Sequence, residues 1–125
     1  MGGHAVKVAG FGLRAAATPE SLRSALLAAG GPDGLAAIAT AADKADHPAL
    51  QALAKELNLP LLAIPLDRLT AAPAGPAGTP ARYAHRSVAE AAALAAAGPA
   101  PRLLAPRATS PDRMATCATA TSGDP

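Results

Sequence analysis

Three times in this chain a short apolar run gives way to a loop, a helix-opening signal and a helix-stopping signal before the next run begins. The runs are Val6 to Ala9, Leu35 to Ala39, Leu61 to Ile64 and Arg102 to Ala105. Thr18-Pro19-Glu20 offers an N-cap, a proline at the first helical position and an early acid. Asp46-His47-Pro48 repeats the device, and Ser87-Val88-Ala89-Glu90 matches the capping box S-x-x-E. Gly30-Gly31, then Asn58 with Pro60, then Gly98-Pro99 end the three helices. Strands alternating with helices of this length predict an α/β fold, three-layer α/β/α, around a mainly parallel sheet. Met114 to Ala120 supplies a fifth strand. The connection before it, Arg107 to Arg113, is too short for a parallel crossover, so this last strand is expected antiparallel to the fourth.

At 125 residues the chain is expected to form one domain, with its core over 6–120 and a frayed tail over 121–125. Half of it is hydrophobic, yet 37 of those residues are alanine, leaving a thin core of larger side chains. Ala71 to Ala81 is a Pro-Gly-Ala stretch that forms no core element and reads as a flexible loop. With a net charge of +2, no polybasic block and only two aromatics, the chain lacks the cationic stripe and stacking platforms of a nucleic-acid binder. No apolar run is long enough for a membrane span and the N-terminus carries no signal-peptide pattern, so a cytoplasmic setting is expected.

If the strands are parallel, the loops after them lie on one edge of the sheet. That carboxyl edge is where open α/β sheets bind ligands. The loops contain Gly10-Phe11-Gly12-Leu13-Arg14 after the first run, Thr40 with Asp43-Lys44 after the second, and Pro106-Arg107 after the fourth. A glycine-lined cationic edge suits an anionic ligand, provided that Arg14, Lys44 and Arg107 converge on one concave mouth.

Gly10 to Ala15 formally matches the dinucleotide fingerprint G-x-G-x-x-G/A. The fingerprint needs the helix to open inside the motif, whereas the cap here is Thr18, and the second run ends in Ala39-Thr40 rather than an acid. No nucleotide or other cofactor is expected. His4, His47 and His85 lack metal-ligand spacing and read as surface scatter, and Cys117 reads as a buried, inert thiol. Glu90 either completes the capping box with Ser87 or is a candidate acid-base group.

The ordered set of these motifs resembles the cobalamin-biosynthesis CobE family, which is similar to the C-terminal domain of CbiG, the cobalt-precorrin-5A hydrolase. The resemblance is carried by Gly10-Phe11-Gly12, Thr18 to Glu20, Thr40 to Lys44, Asn58-Leu59-Pro60, Ser87 to Leu94, Leu103 to Pro106 and Thr116 to Ala120. Arg107 stands where the family usually shows Lys, and His47 where an acid is common. The resemblance implies a precorrin or corrinoid ligand, a macrocycle ringed by carboxylates, with other cobalamin-biosynthesis enzymes as further partners. The ligand-binding candidates are then Gly10, Phe11, Gly12, Arg14, Thr40, Lys44, Ser87, Arg107 and Thr116. Three roles follow from it: a carrier or accessory factor, a precorrin-lactone hydrolase, or a structural subunit docking on another pathway enzyme. In the hydrolase, Glu90 or Asp43 would position or activate water while Thr40 or Thr116 donated to the oxyanion.

Overall fold

Apolar residues at Lys7–Leu13 (β1), Leu35–Ala41 (β2), Leu61–Ile64 (β3), Arg102–Thr109 (β4) and Ala115–Thr121 (β5) form one sheet in the order β3-β2-β1-β5-β4. The helices are Pro19–Ala28 (α1), Pro48–Leu57 (α2) and Val88–Ala97 (α3), with a 3-10 turn at Ala42–Lys44. The computed structural model describes residues 6–65, 88–98 and 101–122. Ser87, His4, His85, the 71–81 segment and the end of the tail lie outside the described residues.

β1, β2 and β3 run parallel, and β5 runs antiparallel to both β1 and β4. The fold is therefore α/β with a five-stranded mixed sheet, as the strand order in the sequence predicts. α1 and α2 cover one face, where Phe11, Ile38, Leu22, Leu26, Leu50 and Leu53 make the larger core. α3 covers the other face with buried alanines and Leu94 against Val8, Ala37 and Ala120. Small side chains let a helix lie close on a sheet, which is how a chain so rich in alanine still builds two packed interfaces.

The caps of α1 and α2 act as the sequence signals them, while the Ser87 position of the third capping signal lies outside the described residues. The Thr18 side chain accepts the Ser21 amide, and Ser21 Oγ in turn accepts the Thr18 amide, both at 3.2 Å. Asn58 closes α2 in the left-handed conformation, with φ 58°.

Several boundaries differ from the sequence expectation. Gly10 to Leu13 is strand rather than loop, because Gly10 sits beneath α3 in the middle of the sheet. β4 continues through Pro106-Arg107 to Thr109, which an edge strand tolerates because its outer amides need no ladder partner. Thr121 belongs to β5, and the Ser122 amide donates to Val6 O at 3.0 Å, so the sheet outlasts the expected core boundary.

Candidate functional site

The carboxyl ends of β1 and β4, the start of β5 and the start of α3 meet around an open depression of about 560 Å³. Arg14 enters it directly after β1. Its amide donates to Met114 O at 2.9 Å, which carries the β1–β5 pairing one residue past Leu13. Arg107 comes from β4 and Arg113 from the hairpin between β4 and β5, and both line the same depression. Gly12 and Thr116 form its floor near Val88, with the Thr116 hydroxyl donating to Gly12 O at 3.4 Å.

Local chemistry explains how Arg107 is held. The β4–β5 register slips between Ala105 and Ala108, and Pro106 has no amide to offer. The Arg107 amide instead donates to Glu90 Oε2 at 3.0 Å, tying the first turn of α3 to the edge strand. Glu90 is half-buried there. Its carboxylate thus has a structural task within the domain.

Arg14, Arg107 and Arg113 are exposed, and none forms an ion pair with a described residue. The ion pair that the described residues do form, Arg23 with Glu56 at 2.9 Å, lies between α1 and α2. Three guanidinium groups around a shallow concavity, with hydroxyls and apolar carbons between them, make a surface suited to carboxylates. Each guanidinium can grip a carboxylate through two parallel N–H donors.

Lys44 does not join them. It lies past the end of β2, in a neighbouring depression of about 390 Å³ that also takes in Asp43, Asp46 and His47. Two of the three cations expected to converge therefore do so, and the third is displaced by one strand. Asp43 is exposed beside Lys44 on the 3-10 turn.

His47 has a definite role rather than a place in surface scatter. Its Nδ1 accepts the Ala49 amide at 3.1 Å and caps α2, while Nε2 donates to Ala15 O at 2.9 Å. This pattern uses both ring nitrogens, one as acceptor and one as donor.

Other sequence candidates are enclosed by the fold. The Phe11 side chain is fully buried among Leu22, Leu26 and Ile38. Thr40 is fully buried as well and donates to Phe11 O at 2.8 Å. A Cβ on Gly10 would collide with the Ala89 carbonyl and stand 2.5 Å from the Ala93 nitrogen, so that glycine serves helix packing. These three are interior residues, a correction to their reading as edge-loop positions. Cys117 is fully buried in β5, and burial pushes its thiol well above the ordinary range.

Sequence reasoning missed Arg113. The signal was present: Pro111-Asp112 is a turn dipeptide, so the next residue belongs at the tip of a hairpin joining two strands. Asp112 fixes that tip. Its Oδ1 accepts the Ser110 hydroxyl at 2.6 Å and the Met114 amide at 3.0 Å, and its Oδ2 accepts the Ser21 hydroxyl at 2.6 Å. These bonds hold the Asp112 carboxyl below the usual carboxylate range. None of the helices described is long and apolar enough to cross a membrane.

The sequence matches the family profile "Cobalamin synthesis G C-terminus" over residues 7–120. Among solved structures, the cobalamin biosynthesis protein chiG from Agrobacterium tumefaciens is 37% identical with a TM-score of 0.73, the match covering 95% of this chain and 100% of that one. CobE, a protein from the cobalamin (vitamin B12) biosynthetic pathway, is 28% identical with a TM-score of 0.75, over 97% of this chain and 93% of that one. A cobalamin biosynthesis protein G homolog from Sulfolobus solfataricus shares the fold at 21% identity and a TM-score of 0.67, and the match spans 36% of that longer chain. No curated protein sequence matches. A profile match over nearly the whole chain, together with the shared five-stranded fold, makes this a cobalamin biosynthesis protein that belongs to the cobalamin synthesis G C-terminus family.

Proposed function

We propose that the domain binds a carboxylate-rich precorrin or corrinoid intermediate at the carboxyl edge of its sheet, as a carrier or accessory factor of the pathway. The observation that carries this reading is the open depression shared by Arg14, Arg107 and Arg113, three cations with no ion-pair partner among the described residues. A tetrapyrrole ringed by acetate and propionate groups presents several carboxylates around a flat apolar body. The lining of the depression matches that pattern, with cations at its rim and Val88, Met114 and Ala115 between them.

Binding is favoured over hydrolysis by where the two candidate acids sit. The Glu90 carboxylate accepts the Arg107 amide, and Asp43 lies in the other depression beside Lys44. Neither lines the three-arginine surface. A carrier needs charge complementarity and an accessible face, and those are the properties this surface has.

Titration with a purified tetrapyrrole intermediate, followed by absorbance and by mass spectrometry of the recovered ligand, tests the reading. Saturable binding with unchanged ligand mass is expected, weakened by Arg14→Ala and by Arg107→Ala. Each substitution should cost about tenfold in affinity, the lower end of what a charge-assisted hydrogen bond contributes. Lys44→Ala is expected to cost less. A ligand mass change that depends on Glu90 or Asp43 would identify a hydrolase instead. Failure to bind, with co-purification of a pathway enzyme, would identify a docking subunit.

A further inference from the structure

Arg113 has a backbone φ of 62°, in the left-handed region that Gly, Asn and Asp favour and that other residues enter at a steric cost. A hairpin tip that needs this conformation is ordinarily filled by one of those residues. Here it holds a long cation whose side chain makes no hydrogen bond or ion pair with any described residue. Among the described residues, no side-chain contact of Arg113 offsets the backbone cost.

The loop around it is rigidly built. The Ser110 amide donates to Ala115 O and the Arg113 amide to Ser110 O, both at 2.9 Å, so the turn closes on itself. Ser110 is buried, and its hydroxyl accepts the Ala115 amide at 3.1 Å while donating to Asp112. Asp112 then spans the gap to α1, where Ser21, also buried, donates to it from the first helical turn. The hairpin tip is thereby locked to a helix on the far face of the sheet. This framework places Arg113 in the lining of the depression together with Arg14 and Arg107.

Backbone strain held in place by side-chain hydrogen bonds, at a cation that has no ion-pair partner among the described residues and lines a depression, is the pattern of a residue kept for a ligand. We infer that Arg113 is a specificity-determining residue of the carboxylate site, and that Asp112, through Ser110 and Ser21, is the residue that positions it. This rests on the proposed binding of a polycarboxylate macrocycle and adds which group reads the extra carboxylates. Ligands with carboxylates around their whole rim engage all three arginines. Those with half as many leave Arg113 unused.

The test uses the full chain and two porphyrin probes, the octacarboxylate uroporphyrin and the tetracarboxylate coproporphyrin, titrated by absorbance alongside thermal unfolding. Arg113→Asn keeps a residue comfortable at positive φ while removing the charge, so the fold is retained. Expected are an unchanged or higher Tm, about tenfold weaker binding of the octacarboxylate, and nearly unchanged binding of the tetracarboxylate. Arg113→Lys should fall between wild type and Arg113→Asn, since it restores charge without the planar fork. Asp112→Asn should also weaken octacarboxylate binding, and the Asp112→Asn/Arg113→Asn double variant should bind no more weakly than Arg113→Asn alone.

Wild-type protein that binds neither porphyrin would overturn both the proposed function and this inference. Wild-type binding that Arg14→Ala and Arg107→Ala weaken but Arg113→Asn does not would overturn the inference alone. A fall in Tm that tracks the loss of affinity in Arg113→Asn would do the same, by making Arg113 structural. Additive effects in the double variant would remove Asp112 from its positioning role.

Discussion

Gly10 of β1 and Ala93 of α3 approach so closely that a methyl group on the glycine would stand 2.5 Å from the alanine's backbone nitrogen. The helix backbone rather than a side chain fills that space, so it cannot rotate away. Gly10→Ala must push α3 off the sheet, and with it Val88, which lines the depression. Overpacking of this kind costs about 1–3 kcal/mol or more. Urea unfolding is expected to show a loss at the upper end of that range, or no folded protein at all. Gly12→Ala should be milder, because the nearest atom there is the Thr116 hydroxyl at 2.8 Å, which belongs to a side chain.

Glu90 separates a structural from a catalytic reading. Glu90→Gln keeps a carbonyl oxygen able to accept the Arg107 amide, so stability and ligand binding should both stay near wild type. Glu90→Ala leaves that amide without its acceptor and should cost about 1 kcal/mol, in line with a half-exposed hydrogen bond to a charged group. Equal loss of ligand turnover in both variants, with stability intact in the first, would argue for the acid-base role.

His47 joins the start of α2 to the loop after β1 through its two ring nitrogens. His47→Ala should lower the urea midpoint by about 1 kcal/mol of stability, the usual cost of deleting a helix cap, with no change in the denaturant slope. His47→Asn, which restores a capping oxygen but cannot reach Ala15 as well, should recover part of that loss.

The Asp112 carboxylate is held below its ordinary titration range by hydrogen bonds from Ser110, Ser21 and the Met114 amide, in that order. A group depressed on folding contributes stability that is complete above the ordinary carboxylate range. It is lost as the pH falls through the folded value. Wild-type protein should therefore lose stability as the pH is taken from about 4 downward. The gap between it and Asp112→Asn should narrow over the same interval. Unfolding curves collected from pH 7 to pH 3 on both proteins check this, and a constant gap would exclude the linkage.

Much of the fold was legible because its signals are local. Thr18 with Pro19, His47 with Pro48, and Asn58 mark helix ends within a few residues, and α1, α2 and α3 begin and end close to where those signals lie. The antiparallel β5 followed from connection length alone. What escaped local reading depends on distant neighbours. Gly10 and Gly12 look like a strand terminator until α3, some eighty residues later in the sequence, is laid on top of them. Pro106 looks like the end of β4 until the strand is known to lie at the sheet edge. In the candidate site, Arg14 was legible as a cation following a strand and Arg107 as one near a strand end, although β4 runs on to Thr109. Lys44 obeys the same rule, yet its strand is one place further from β5. Arg113 was hidden because the rule examines loops after parallel strands, while a hairpin returning from the edge contributes equally.

The strand nearest the end of the described chain, β5, is inserted between β1 and β4, and pairs residues as distant in sequence as Lys7 and Thr121. A ribosome releasing this polypeptide would thus leave that flank of β1 without its native partner until the stretch around Cys117 emerges. Assembly of the arginine surface should consequently be among the last events of folding, slow for a domain of this size and open to interference by any chain that offers β1 a substitute strand.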